Sequence, residues 1–303
     1  MSGAIDIVCN LFTPLEVANG QTGFDADFMA KVRMPEAWRG GVSVDDYLRM
    51  MDAAGVEHSL LIAVRAGDRH WKFSFEIPYE QVARWCRLHP DRFSGLAGID
   101  PTRGMEQLRD LEHAVNDLGF VGAHSYPHWF SLPPDAARWY PVYAKCCELG
   151  IPIMMQVGQN LIYQKDVRLP SVARPILLDR IAIDFPELDL IGIHIGTPWV
   201  EEMIAMAWKH ERVYIGIDAY APKHLSAPLL HYMNSYGQQK VLFGTDWPVI
   251  APGRAMDELR AHRLREEAFS AVTRENALRV FPALRARLRS TQAPEVGPPL
   301  PAA

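Results

Sequence analysis

Cysteine is scarce: Cys9, Cys86, Cys146 and Cys147 are the only four, and the last two are neighbours in a helical pattern whose geometry opposes a mutual bridge. A disulfide-stapled secreted scaffold is excluded, and reduced thiols in a cytoplasm are expected. The start, Met1-Ser2-Gly3-Ala4-Ile5-Asp6, lacks the basic region and unbroken apolar stretch of a secretory signal. Long apolar runs are missing as well. Ile176 to Ile183 is interrupted by Asp179 and Arg180, far short of the roughly 20 residues that cross a bilayer. Neither sign of charge dominates: 31 basic against 36 acidic residues give a formal charge of -5, with no basic run to meet nucleic acid or anionic lipid. There is no Gly-x-Ser-x-Gly elbow, phosphate-cradling glycine loop, His-Glu-x-x-His or Cys-x-x-Cys. What remains is a soluble chain with a small-molecule partner, and nothing in it opposes assembly into a homo-oligomer.

What is present is a repeated alternation of short apolar or β-branched runs with helical periodicity, the pattern of a parallel sheet wrapped by helices. Strands are read at Ala4–Cys9, His58–Val64, Phe93–Ile99, Phe120–Ser125, Ile151–Gln156, Leu188–His194, Val213–Asp218 and Val241–Thr245. Eight such units predict an α/β fold of the (β/α)8 TIM-barrel type. Ser43-Val44-Asp45-Asp46 reads as the cap of a helix that Gly55 ends. One domain spans residues 1–287, with loop insertions at 11–41 and 127–137 read as walls or lids, and a Pro- and Ala-rich tail at 288–303 is expected to be disordered.

In such a barrel the C-terminal strand ends converge over the mouth. The polar residues at those positions are Asn10, Arg65, Asp100, His124 with Tyr126, Gln156, His194, Asp218 and Asp246. A ring of titratable and amide groups over an apolar core is costly unless the groups satisfy one another or a ligand. Each also has a plainer explanation. Asp246 can cap the following turn, His194 can be a satisfied core histidine, and His124 with Tyr126 can be a packed aromatic pair. Arg65 suits a substrate carboxylate, and equally an ordinary salt bridge to Asp100 or Asp218. Asn10 and Gln156 either fill space with amides or orient substrate. His128, beyond Pro127, lies at the surface or in a lid, and Trp129 and Trp247 either pack or bound a ring-shaped ligand.

The segments Ile5-Asp6-Ile7, Gly119-Phe120-Val121-Gly122, Gly192-Ile193-His194-Ile195-Gly196, Phe243-Gly244-Thr245-Asp246-Trp247-Pro248 and Glu275-Asn276-Ala277 resemble the amidohydrolase-2 family, over about residues 4–285. That family includes aminocarboxymuconate-semialdehyde decarboxylase, aromatic acid decarboxylases and a pyrone-dicarboxylate lactonase. The resemblance implies metal ligands at a strand-one His-x-His, strand-five and strand-six histidines and a strand-eight aspartate. This chain reads Val8-Cys9-Asn10 and Gln156 at the first two places, and only His194 and Asp246 match. Five inherited ligands fall to two, whereas catalytic zinc keeps three. No cofactor is therefore expected. If zinc or manganese is held, the set on offer is His194, Asp246 and His124.

The resulting expectation is a metal-independent hydrolase acting on a small activated carbonyl compound, a lactone or a carboxylated ring-derived molecule. Asp246 would deprotonate water while His194, His124 or Tyr126 stabilises the oxyanion; Arg65, Gln156, Asn10, His128, Trp129 and Trp247 would contact substrate. The lactonase supplies a metal-free precedent within the resemblance. The alternatives are a decarboxylase, other C–C lyase or hydratase on an aromatic or unsaturated acid, and a non-catalytic barrel that binds a small ligand.

Overall fold

The computed structural model describes residues 3–292; Met1, Ser2 and residues 293–303 lie outside the described residues. Eight parallel strands follow one another around the sheet: β1 Ala4–Asn10, β2 Val56–Ala63, β3 Phe93–Gly98, β4 Gly122–Ser125, β5 Ile153–Gln156, β6 Leu190–Ile193, β7 Val213–Gly216 and β8 Val241–Leu242. Their residues are buried almost without exception, as a parallel sheet covered by helices requires. Close strand approach explains one glycine: a Cβ on Gly98 would lie 2.0 Å from the carbonyl oxygen of Ala63 on β2. The helix Val44–Ala54 begins where Ser43 Oγ accepts the Asp46 N–H at 3.1 Å, and ends at Gly55 in the left-handed region (φ 73°).

The sheet closes on itself through β1 and the chain just beyond β8. Ile7 N–H donates to Phe243 O (3.1 Å), Asp246 N–H to Val8 O (2.9 Å) and Asn10 N–H to Trp247 O (2.9 Å). Beneath this seam the wholly buried Asp6 carboxyl accepts from Val8 N–H (3.1 Å), Thr245 N–H (3.0 Å) and the Thr245 hydroxyl (2.6 Å), so one side chain ties the first strand to the last. The eighth strand was expected to reach Thr245, but its ladder stops at Leu242 because Phe243 N–H turns to Val272 O (2.9 Å). The final helix, Pro282–Gln292, runs through positions 288–292, where the disordered tail was expected to begin. No described helix is long and apolar enough to cross a membrane, and the four cysteines are free.

Three loop segments cover the C-terminal mouth. The insertion at 11–41 carries two short helices, Pro14–Ala18 and Ala26–Lys31, and a small apolar cluster of its own around Phe12, Met29 and Met34. An antiparallel pair, Arg65–Ala66 with Phe75–Glu76, follows β2 and was not foreseen. Gln21 Nε2 donates to Glu76 O (3.0 Å), Asp25 N–H to Tyr163 O (3.1 Å) and Lys165 N–H to Asp25 Oδ2 (2.6 Å), which fastens the insertion to that pair and to the third segment, the loop that follows β5.

Candidate active site

At the ends of the last three strands the backbone turns sharply. His194, Ile195, Ala219 and Asp246 all adopt positive φ (67°, 51°, 64° and 53°), a conformation that costs a non-glycine residue of order 1–3 kcal/mol. Cost of this kind concentrated at one mouth aims side chains inward. His194 Nε2 stands 3.2 Å from Asp218 Oδ2 and 3.9 Å from Asp246 Oδ2, and its backbone N–H donates to Asp218 Oδ1 at 3.2 Å. The Nε2–Oδ2 approach to Asp218 is near without hydrogen-bond alignment, and neither atom has another partner among the described residues. Asn10 Nδ2 donates to Asp246 Oδ1 (3.0 Å) and Trp247 O (2.9 Å), fixing the carboxyl's orientation.

Burial governs the protonation of this group. Desolvation pushes Asp218 up to about 7, and Asp246 rises well above the carboxylate range through burial and the neighbouring Asp218. Burial also pulls His194 down to about 3 and, together with His194, pulls His124 down to about 3 and His128 to about 4. With both carboxyls driven toward their neutral forms, neither keeps His194 charged. Both His124 ring nitrogens, His128 Nε2 and Gln156 Oε1 are buried without hydrogen-bond partners among the described residues. Orphaned polar atoms gathered around one mouth are what a ligand-binding site leaves when described without its ligand.

The cleft above these groups spans about 520 Å³, part of it open to solvent, and is walled by Phe12, Phe24, Phe75, Ile77, Tyr126, Trp129 and Tyr163, with Asn10, His194 and Asp246 among its lining. Of the expected site residues, Asn10, Tyr126, Trp129, His194 and Asp246 line it. His124, His128 and Gln156 are buried around it: the His124 ring packs edge-on against Tyr126 with centroids 4.4 Å apart, His128 Nδ1 accepts from Val172 N–H (3.1 Å), and Gln156 Nε2 donates to the Tyr163 hydroxyl (3.1 Å). Trp247 turns the other way, onto Tyr47 and Trp38.

Arg65 does not join them. Its guanidinium pairs with Asp110 (2.9 Å) and Glu76 (3.3 Å) and lies over the Tyr79 ring, so the salt bridge foreseen as its alternative exists with other partners. Sequence reasoning placed Asp218 in the ring of strand-end residues with no part beyond a salt bridge to Arg65, and overlooked Tyr163, Phe24 and Phe75. The first stands at a strand end and could have been weighed with Asp246. The others sit in loops without periodicity, where no sequence signal points inward.

The buried titratable cluster makes stability depend on pH in two opposed ways. The unfolded chain takes up protons that His124 refuses when folded, so its contribution is lost as the pH falls from about 6.5 toward 3. Asp6, raised to about 7 chiefly by burial, behaves oppositely: its protonated form is favoured on folding, and stability is lost as the pH rises from about 4 to 7. Relative to the parent, His124→Leu is expected to gain stability on acidification by up to ~1.4 kcal/mol per pH unit, and Asp6→Asn to gain on alkalinisation. Urea unfolding at pH 4.5, 5.5, 6.5 and 7.5 reads both, and parallel pH curves for parent and variants would contradict the assignment.

A closed (β/α)8 barrel with acid–base groups gathered at its C-terminal strand ends has the form of an enzyme scaffold. The chain belongs to the amidohydrolase family: the family model, described as Amidohydrolase, matches residues 24–283. It is 23% identical over 295 aligned positions to a gamma-resorcylate decarboxylase from Rhizobium sp. (strain MTP-10005), covering 78% of this chain and 86% of that one. It is 31% identical over 130 positions to a 2-keto-4-carboxy-3-hexenedioate hydratase from Sphingobium sp. (strain NBRC 103272 / SYK-6), 37% of each chain. The fold matches a TIM-barrel protein from Bordetella bronchiseptica with a TM-score of 0.75 at 22% identity, covering 93% and 99% of the two chains. A dihydroxybenzoic acid decarboxylase from Polaromonas sp. JS666, solved with bound manganese and the inhibitor 2-nitroresorcinol, matches with a TM-score of 0.67 at 20% identity over 93% and 97%.

The donor set here does not fit a divalent ion of that kind. Val8 offers no donor atom, and Asn10 turns an N–H, not a lone pair, toward Asp246 Oδ1. No three His, Cys, Asp or Glu side chains among the described residues are arranged to hold a metal, so the alternative set of His194, Asp246 and His124 does not assemble.

Proposed function

We propose that this chain is a lyase that transfers a proton at carbon on a small carboxylated substrate, decarboxylation being the reaction its site suits best, with Asp246 as the proton donor. The observation that carries this reading is a carboxyl pushed far toward its protonated form, oriented by Asn10 and facing an aromatic-walled cavity. The bond to the carboxylate carbon breaks, its electron pair remains on the adjacent carbon, and the Asp246 proton forms the new C–H bond as carbon dioxide leaves. Solvent then restores the aspartate's proton, so each turnover consumes one proton. The apolar walls strip water from the substrate carboxylate, whose charge disperses as the bond breaks. His194 and the Tyr126 and Tyr163 hydroxyls are the hydrogen-bond donors within reach of its oxygens. The relatives named as decarboxylases and a hydratase support the same class, since both reactions move a proton at carbon.

The hydrolytic alternative asks Asp246 to deprotonate water at a lactone, and a carboxyl held in its acid form is poorly suited to that task. The test is product analysis with hydroxybenzoates, unsaturated acids and lactones. Release of carbon dioxide or hydration of a double bond is expected; lactone opening with no action on any acid would overturn the lyase reading. Because the donor set lacks the family's ligands, activity is expected to survive exhaustive chelation, with well under one transition-metal ion per chain by elemental analysis. Activity abolished by chelation and restored by manganese would refute metal-free operation.

A further inference from the structure

The charges around the cavity limit what can enter it. Besides the two tyrosines, His194 and Asp246 are the titratable side chains among its lining residues. His194 stands between two carboxyls, Asp218 at 3.2 Å and Asp246 at 3.9 Å, in a site whose burial keeps the imidazole neutral, so it offers a ligand no positive charge. Arg65 is committed to Asp110 and Glu76, and Arg103 to Glu76 and Asp100 (3.0 Å). Lys165 and Arg168 border a different groove, shared with Asp25 and Asp27. Among the described residues no lysine or arginine lines the cavity.

Hydrogen-bond donors in the lining are few. The Tyr163 hydroxyl accepts from Gln156 and keeps its own hydrogen, Tyr126 makes only a 3.5 Å contact with Asn10, and His194 Nε2 is without a partner. These suffice for one carboxylate. The other lining side chains are mostly apolar, Phe12, Phe24, Phe75, Ile77 and Trp129 among them, with Thr22 the main polar residue, since Gln21 is held by Glu76 O and Gln81. A second carboxylate there would be buried without a cation.

We propose that the cavity takes a single-ring acid with one carboxylate and an otherwise apolar ring, and that a second carboxylate on the ring excludes a molecule from it. This deepens the reading of the cavity as the reacting site and rests on it. The test is calorimetric binding to the full chain of three probes: 2-hydroxybenzoate, its 5-methyl derivative, and 4-hydroxyisophthalate, which carries a carboxylate in place of the methyl. The first two should bind within about 5-fold of each other and the dicarboxylate at least ~30-fold more weakly. In Thr22→Arg, which adds a cation to the apolar wall, the gap should narrow by about 10-fold. A dicarboxylate that binds as well as 2-hydroxybenzoate, exclusion of the methyl derivative, an unchanged gap in Thr22→Arg, or no binding of any probe each overturns the proposal. Binding is read without turnover, so a chain that prefers the monoacids and acts on none of them refutes the lyase reading while supporting this one.

Discussion

Asp246→Asn is expected to lower kcat by about 1,000-fold or more, within the range for loss of a positioned general acid, and to leave the melting temperature unchanged or raised. The two halves of that expectation have one cause. The carboxyl is buried beside Asp218, and desolvation together with that neighbour penalises its charged form, so the folded protein gains nothing from an ionisable group there. An amide keeps the shape, can still accept at its oxygen the hydrogen bond that Asn10 donates at 3.0 Å, and tolerates the φ of 53° better than most side chains. What it cannot do is release a proton to carbon. Steady-state assays on whichever acid is turned over, with a melting curve for each variant, separate these effects. An active Asp246→Asn enzyme would remove Asp246 from the chemistry, and an inactive one that melts far below the parent would make the residue structural.

The split between catalysis and stability mirrors what was legible in the sequence. The barrel was readable because parallel strands buried on both faces must be short apolar runs, and turns must punctuate them; β2, β3 and β5 lie within a residue or two of their expected ends. Asn10, His194 and Asp246 were readable for a related reason: a barrel brings its strand ends together whatever the intervening sequence. Arg65 shows where that logic fails. Its place after β2 was correct, yet its direction was set by Glu76 in an unforeseen hairpin and Asp110 on a helix, and pairing between such distant positions leaves no periodicity to read. Phe24, Phe75 and Tyr163 reach the cavity from loops whose paths depend on contacts with one another, as when Asp25 N–H donates to Tyr163 O.

Asp6 illustrates a buried acid with a different duty, and its removal should be felt in stability first. Asp6→Ala is expected to cost ~3 kcal/mol or more, because three donors, Val8 N–H, Thr245 N–H and the Thr245 hydroxyl, would lose their acceptor in a site closed to water. Thr245→Val removes the 2.6 Å hydroxyl contact and the acceptor of the Trp247 N–H (3.0 Å), and should still cost less, since Asp6 would keep two backbone donors. The two changes share a bond, so their effects should sum to more than the double variant loses, with a coupling of order 1 kcal/mol in a double-mutant cycle read by urea unfolding at pH 6.5. Thr245 immediately precedes Asp246, so loosening this seam should also disturb the proton donor, appearing as a fall in kcat in Thr245→Val while the fold persists. Additive losses in the cycle, or an Asp6→Ala protein within 1 kcal/mol of the parent, would place the closure of the barrel in the backbone bonds between β1 and the chain after β8 alone.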